Sequence, residues 1–202
     1  MRSNEASTKL TSCKSMHSGS DGGKPINCFA LVTYIPEPLG SFLDVLRREL
    51  VPGCLPRAHV TLLPPRTIAV PTPVVVEELN AEVADLAPFE LQLEGVEIFE
   101  RTSVIYIKLG VGREELKRIH DRLNKGPLRF DEPFEYEPHI TLAQELKPEQ
   151  VRGVFEEASR QWANLAPARS FPVETMTFVQ NTDSNSWLDL AHWTLGAVPS
   201  VR

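Results

Sequence analysis

The hydrophobic pattern of the chain alternates between short apolar runs and stripes of helical spacing. Runs that are rich in β-branched and aromatic residues and bounded by Pro, Gly or Asn predict strands. These cover about 27–35, 89–100, 103–109, 171–180 and 187–195, together with two short runs that begin near His59 and His139. Apolar positions three or four apart predict four helices, with stripes at Phe42, Val45, Leu46 and Leu50, at Val76, Leu79, Val83 and Leu86, at Leu116, Ile119 and Leu123, and at Val151, Val154, Phe155, Ala158 and Trp162.

The same order of elements occurs twice along the chain. Residues 27–102 and 103–196 both run strand, helix, short strand, helix and further strand, with an offset near 80 residues. Two copies are too few for a solenoid array, and two similar halves commonly form two lobes about a pseudo-twofold axis. We therefore predict one bilobal domain over 25–202 with a central cleft. Residues 1–24, which are rich in serine and poor in periodic apolar positions, are predicted to be a disordered tail.

One motif is present in each half. The stretch Pro56–Leu63 reads PRAHVTLL, and Glu137–Ala143 reads EPHITLA, so His59 and His139 are each followed by an aliphatic residue, a threonine and a leucine. Because the chain has only five histidines, two chance matches to this pattern are improbable on average residue usage. The duplication therefore points to function.

Strand geometry tells which residues of each motif act together. Side chains alternate between the two faces of a strand, so His59 shares a face with Thr61, and His139 with Thr141. By strand rise, each imidazole lies about 7 Å from its threonine hydroxyl. The aliphatic residues between them point the other way, where helices can cover them. If both lobes face one cleft, that cleft receives two imidazoles and two hydroxyls.

This set of groups suits chemistry at a phosphodiester. With a pKa of about 6.5, one histidine can be neutral and the other protonated near pH 7, so that one accepts a proton from a nucleophile and the other gives a proton to a leaving oxygen. Threonine hydroxyls can stabilise the charge on non-bridging phosphate oxygens. The sequence has no GxxxxGK[ST] loop and no acidic cluster typical of magnesium sites. It also brings no second metal ligand at usable spacing to either histidine, so we predict no metal and no cofactor.

Further residues are candidates for substrate contacts. Arg57 and Arg66 flank the first motif and could place positive charge near a phosphate, although exposed loop arginines are common. Tyr106 and Lys108 share a strand face and could stack on a base or pair with a phosphate. The alternative is that they form an ordinary packed sheet face.

Charge and cysteine content narrow the range of partners. A net charge of −6 and a pI of about 5.4 disfavour binding to long nucleic acid, which needs a basic surface. A small nucleotide or an RNA terminus needs only a few local cations. No apolar run approaches the roughly 20 residues that cross a bilayer. Three cysteines without CxxC spacing suggest a reducing compartment, so we expect a cytoplasmic monomer.

The motifs HVTL and EPHITLA resemble the paired HxT[L/V] signatures of the 2H phosphoesterase superfamily, which includes the bacterial 2′-5′ RNA ligase-like proteins. Ser103–Lys108 and the Asn185–Trp187 hairpin are similar to a phosphoesterase branch of that superfamily. The resemblance extends over about Asn27–Gly196. It implies an α+β fold with an antiparallel sheet plus helices in each lobe and the motifs lining the central groove.

The resemblance also implies activity on 2′,3′-cyclic phosphates or 2′-5′ linkages of small nucleotides and RNA ends. The prediction is therefore a metal-independent phosphodiesterase in which His59 and His139 form the acid/base pair, while Thr61 and Thr141 orient the phosphoryl group. Two alternatives stay open at this point. The same site could run in reverse as a 2′-5′ RNA ligase, or it could serve a non-catalytic nucleotide- or RNA-end-binding module.

Overall fold

The computed structural model describes residues 23–54, 57–165 and 168–196. These residues form two four-stranded antiparallel sheets and four α-helices. The strands are β1 (Pro25–Tyr34), β2 (His59–Arg66), β3 (Phe89–Phe99), β4 (Val104–Leu109), β5 (His139–Ala143), β6 (Ser170–Val173), β7 (Thr175–Thr182) and β8 (Trp187–Thr194). The helices are α1 (Leu39–Leu50), α2 (Thr72–Val83), α3 (Arg113–Leu123) and α4 (Pro148–Ala163). The α+β fold with an antiparallel sheet in each lobe is confirmed, and the predicted tail lies almost entirely outside the described residues.

The two sheets exchange strands between the halves of the chain. The first sheet has the order β2-β1-β7-β8 and the second β5-β4-β3-β6. In both sheets the motif strand lies at an edge, the preceding strand lies beside it, and the third position is taken by a strand from the other half. This arrangement keeps the twofold relation of the repeat. It also means that the boundary near residue 102 does not separate the sheets.

One predicted strand is wrong in its extent. The run 171–180 forms two strands, β6 and β7, which belong to different sheets. In β6 the buried residues alternate, with Phe171 and Val173 covered, whereas Met176 to Val179 of β7 are all buried, because β7 lies between two strands inside its sheet. β6 pairs with β3 and β7 pairs with β1, so the chain passes from one sheet to the other between Val173 and Thr175.

The helices bury most of the predicted stripes. In α3, Leu116, Ile119 and Leu123 are all buried, as predicted. The α1 stripe is partly wrong, because Val45 is 48% exposed. That helix begins at Leu39 and packs through a different set of positions, which share a 4-3-4 spacing, namely Leu39, Leu43, Leu46 and Leu50.

The core leaves one face of each motif strand uncovered. Helix α1 packs beside β5 and helix α3 beside β2, so each crosses to the motif strand of the other half. In β2 and β5 the aliphatic residues are buried while the histidines and threonines between them stay partly exposed. The predicted alternation is thus present in both copies.

Candidate active site

The two motifs lie next to one another in space. Strands β2 and β5 are the edge strands of their sheets, and they pack side by side. The hydroxyl of Tyr136, just upstream of β5, donates a hydrogen bond of 2.6 Å to the Thr61 carbonyl in β2. The fold therefore brings the two motif strands together between the sheets.

Each catalytic candidate histidine is oriented in the same way. The Nδ1 of His59 lies 2.6 Å from the Arg57 carbonyl, and the Nδ1 of His139 lies 2.7 Å from the Glu137 carbonyl. Because a carbonyl oxygen can only accept, each Nδ1 carries the hydrogen and donates it. This selects the tautomer whose Nε2 has a free lone pair. Both rings thus present the nitrogen that can exchange a proton with a ligand.

Burial lowers the pKa of both imidazoles. For His59 the pKa falls from 6.5 to about 4, mainly through desolvation. The charges of Arg47 and His139 also lower it, so the two imidazoles are close enough to interact electrostatically. Desolvation lowers the pKa of His139 as well, against the hydrogen bond to the Glu137 carbonyl, which raises it. In the free protein both rings are therefore mainly neutral near pH 7, rather than one neutral and one protonated.

The motif threonines stand on the same open faces as the histidines. Thr61 pairs in register with Val32, and Thr141 pairs with Tyr106. Both side chains are partly exposed. Within the described part of the chain neither hydroxyl makes a hydrogen bond, so each is available to a ligand.

Tyr106 and Lys108 lie beside the second motif. Tyr106 and Phe99 each make an edge contact with the His139 ring, at 5.4 and 4.9 Å between centroids, and their own rings stack at 3.9 Å. Lys108 pairs in register with His139 and lies 3.4 Å from Glu97. Tyr106 and Lys108 both line a cavity of about 520 Å³ that opens next to the motif. A ligand in that cavity could reach both side chains, and their role in binding substrate stays a prediction.

The cavity wall is mainly acidic. Besides Lys108 and Arg113, its charged lining residues are Glu94, Glu97, Glu114 and Glu137. The Tyr106 hydroxyl donates to Glu97 at 3.1 Å, and burial together with this bond raises the pKa of Tyr106 to about 12. Tyr106 therefore stays a neutral donor at physiological pH.

The two candidate arginines have different surroundings. Arg57 is exposed, with its guanidinium 4.1 Å from the ring centroid of Tyr34, the residue that pairs with His59 across β1 and β2. It can therefore reach a ligand at the first motif. Arg66 is 3% exposed and turns into the protein.

Arg66 has a structural role instead of the predicted ligand role. Its guanidinium donates to the carbonyls of Pro64 and Leu128, at 2.9 and 2.6 Å, and to Asn124 at 2.8 Å. It also forms a buried ion pair with Glu132 at 2.9 Å. Its donors face internal partners, so we remove Arg66 from the proposed substrate contacts.

Sequence reasoning missed the residues that support the second motif. The Glu137 carboxylate accepts bonds from Arg113 and Lys117 at 2.5 and 3.0 Å, while its carbonyl orients His139. Only the position of Glu137 directly before Pro-His could have drawn attention to it. Tyr136 and its partner Thr61 are 75 residues apart, and no local pattern signals that pairing.

Across 23–54, 57–165 and 168–196, no group of three or more His, Cys, Asp and Glu side chains is arranged to hold a metal ion. Within the same ranges no helix has the length and apolar character to span a membrane.

Comparisons with known proteins agree with the paired motifs. The chain is 27% identical over 122 residues to a protein of Oceanobacillus iheyensis named "putative phosphoesterase", covering 60% of this chain and 69% of that one. The solved structure of Escherichia coli LigT complexed with 3′-AMP has a TM-score of 0.59 at 16% identity, over 86% of this chain and all of that one. A Thermus thermophilus protein of solved structure, TT0787, has a TM-score of 0.58 at 20% identity, over 83% of this chain and 97% of that one.

These solved structures show that the fold is shared. The family itself is shown by the sequence, since the profile of the 2′-5′ RNA ligase superfamily matches residues 36–185 and includes both motifs. The chain belongs to the 2′-5′ RNA ligase superfamily, within the 2H phosphoesterases that its paired HxT motifs indicate.

Proposed function

We propose that this chain is a metal-independent phosphodiesterase acting on a 2′,3′-cyclic phosphate or a 2′-5′ linkage of a nucleotide or RNA end. One observation carries the proposal. The edge strands that carry His59 and His139 pack side by side, and each histidine has its Nδ1 held by the carbonyl two residues upstream. Two imidazoles that share one tautomer and one cleft can transfer protons on both sides of a phosphorus centre.

Hydrolysis of a cyclic phosphate at this site forms one bond to phosphorus, breaks another and moves two protons. Water attacks phosphorus while one neutral Nε2 takes a proton from it, and the bond from phosphorus to one ribose oxygen breaks. The second imidazole, in its protonated form, gives its proton to that leaving oxygen. Thr61 and Thr141 donate hydrogen bonds to the non-bridging oxygens as negative charge builds on them. Reversing the polarity of the substrate exchanges the roles of the histidines.

The lowered pKa values fit this cycle once a ligand is present. Both rings are mainly neutral in the free protein near pH 7, yet one must be protonated to act as the acid. A phosphate anion between them stabilises the protonated form and raises the pKa of both imidazoles. Binding therefore brings in the proton that the leaving oxygen needs.

The nature of the substrate rests on chemistry and on relatives. Solved structures of Escherichia coli LigT hold 3′-AMP, ATP and NADP⁺. We propose that this chain also takes small nucleotides or RNA ends, with Arg57, Tyr106 and Lys108 contacting the substrate. Its net charge of −6 disfavours long nucleic acid. A cytoplasmic monomer without a cofactor remains our expectation.

The test is turnover of 2′,3′-cyclic nucleotides in EDTA, followed by ³¹P NMR. The proposal predicts conversion to a phosphomonoester by the wild type, and loss of conversion in both His59→Ala and His139→Ala. His192→Ala, at an exposed histidine of β8, is the matched control and should retain activity. Conversion that survives either motif substitution would contradict the two-histidine mechanism.

Ligation is the second candidate, because the superfamily is named for it. Here the same groups would join a 2′,3′-cyclic phosphate end to a 5′-hydroxyl end. Sealing of such RNA ends by the wild type, faster than hydrolysis, would favour the ligase. Tight binding with neither reaction would instead favour a non-catalytic module.

A further inference from the structure

A short segment before the second motif strand contacts the first motif strand directly. Tyr136 donates its hydroxyl hydrogen to the Thr61 carbonyl at 2.6 Å. Strand β2 is an edge strand, and no strand of 23–54, 57–165 or 168–196 pairs with its outer side. Tyr136 supplies a donor for one main-chain carbonyl of this strand. Burial raises the pKa of Tyr136, so the hydroxyl remains a donor at physiological pH.

The aromatic ring of Tyr136 is held from behind. His120 stacks on it with 3.9 Å between centroids and an interplanar angle of 7°. His120 is itself fixed, because its Nε2 lies 2.9 Å from Glu132 and its Nδ1 lies 2.9 Å from Asp121. Glu132 in turn pairs with the buried Arg66 at 2.9 Å. These contacts restrict the Tyr136 ring, so its hydroxyl stays directed at the Thr61 carbonyl.

Glu137, the residue after Tyr136, contacts the imidazole of His139. The Glu137 carbonyl accepts the hydrogen of His139 Nδ1 at 2.7 Å, and its carboxylate is held by Arg113 and Lys117. The Tyr136 side chain and the peptide from Tyr136 to Glu137 link the bond at Thr61 to the carbonyl that orients His139. The first motif strand and the His139 ring are thus joined through two consecutive residues.

We propose that Tyr136 is a positioning residue, whose bond to the first motif strand holds the Glu137 carbonyl where it orients the His139 imidazole. Its effect on turnover rests on the proposed function. Its effect on His139 does not, and it can be measured without any substrate.

Loss of the hydroxyl should have a specific signature. Without the hydrogen bond from Tyr136 to Thr61, the Glu137 carbonyl becomes more mobile and its hydrogen bond from His139 Nδ1 weakens. That bond raises the pKa of His139, so its weakening lowers the pKa further. The titration of His139 then moves to lower pH whether the ring acts as acid or as base. A loss of stability alone would not move one histidine in this way.

The experiment compares Tyr136→Phe with the wild type by NMR titration of the imidazole resonances, in the absence of substrate. Asn80→Ala is the matched control, because it removes a single hydrogen-bond partner, that of the Trp193 indole, between α2 and β8. We expect the His139 midpoint to fall in Tyr136→Phe and to stay unchanged in Asn80→Ala. We also expect kcat on a cyclic nucleotide to fall on the order of 10-fold with KM nearly unchanged, less than the roughly 100-fold that a 1 Å misplacement can cost.

The outcomes separate the two proposals. An unchanged His139 titration in Tyr136→Phe overturns the positioning role, whatever happens to activity. A shifted titration with unchanged kcat overturns its catalytic part. If the wild type turns over no substrate, the proposed function fails, and the titration alone still decides whether Tyr136 positions His139.

Discussion

The desolvation of the His59 ring on folding predicts a loss of stability in acid that one substitution removes. Its pKa falls from 6.5 to about 4 on folding because the ring is desolvated. Between these values the unfolded chain binds a proton that the folded chain does not, so falling pH favours unfolding. Replacing His59 by Asn keeps an amide N–H that can donate to the Arg57 carbonyl, and it removes the titrating ring.

The size of the effect follows from the pKa change. Each pH unit corresponds to about 1.4 kcal/mol, so lowering the pH from 7 to 4.5 removes about 2.5 kcal/mol of stability through His59 alone. The wild type should therefore lose about 2.5 kcal/mol more over this interval than His59→Asn. Below about pH 4 both states are protonated, and the difference stops growing.

Urea unfolding at several pH values between about 7 and 4.5 measures this difference directly. His192→Asn is the control, because it makes the same exchange at an exposed position of β8, the edge strand opposite β2. Equal pH dependence in the wild type and His59→Asn would refute the desolvation of His59, and with it the reason for expecting a neutral ring in the free protein.

Three further predictions concern catalysis and the corrected role of Arg66. The pH profile of kcat/KM should be bell-shaped with its maximum below pH 6.5 and an acidic limb near pH 4, because the pKa values of both His59 and His139 are lowered; a maximum above about pH 8 would contradict this. Thr61→Val and Thr141→Val should each lower kcat by about 10- to 100-fold, since a hydrogen bond to a charged group contributes about 1.5–3 kcal/mol. Single-turnover rates equal to those of the wild type would show that the hydroxyls do not act in the chemical step. Arg66→Met should cost about 3–5 kcal/mol of unfolding free energy in urea, because Glu132 loses a buried partner, while the KM of the folded fraction stays the same; a raised KM at unchanged stability would restore Arg66 to the substrate contacts.

The hydrophobic pattern of the sequence correctly predicted which residues are buried wherever buried positions recur at a regular spacing. The alternation around His59 and His139 placed the imidazoles on open faces, and the helix stripe at Leu116, Ile119 and Leu123 is buried. The prediction that Val45 is buried was wrong because two overlapping apolar stripes fit the same helix, and the helix packs through the stripe that begins at Leu39. The break between Val173 and Thr175 was not predicted, because it follows from the pairing of β6 with β3 and of β7 with β1, which lie far away in the chain.

Contacts between residues far apart in the chain could not be predicted from the hydrophobic pattern of the sequence. The exchange of β3 and β7 between sheets depends on hydrogen bonds between strands of different halves, which hydrophobic period does not encode. Arg66 illustrates the same limit. An arginine directly after Pro-Pro is expected to be exposed, but its contacts with Leu128 and Glu132, which lie more than 60 residues later, bury it. The contacts that hold Tyr136 likewise need residues from three separate parts of the chain.

The central claim is that both motifs act on one phosphorus centre. A crystal structure of the protein with a nucleoside 2′- or 3′-phosphate tests it most directly. We predict one phosphate whose oxygens lie about 3 Å from the Nε2 atoms of both His59 and His139, with the hydroxyls of Thr61 and Thr141 on its remaining oxygens. A phosphate that contacts only one of the two motifs, or that binds outside the cleft between β2 and β5, would contradict the account.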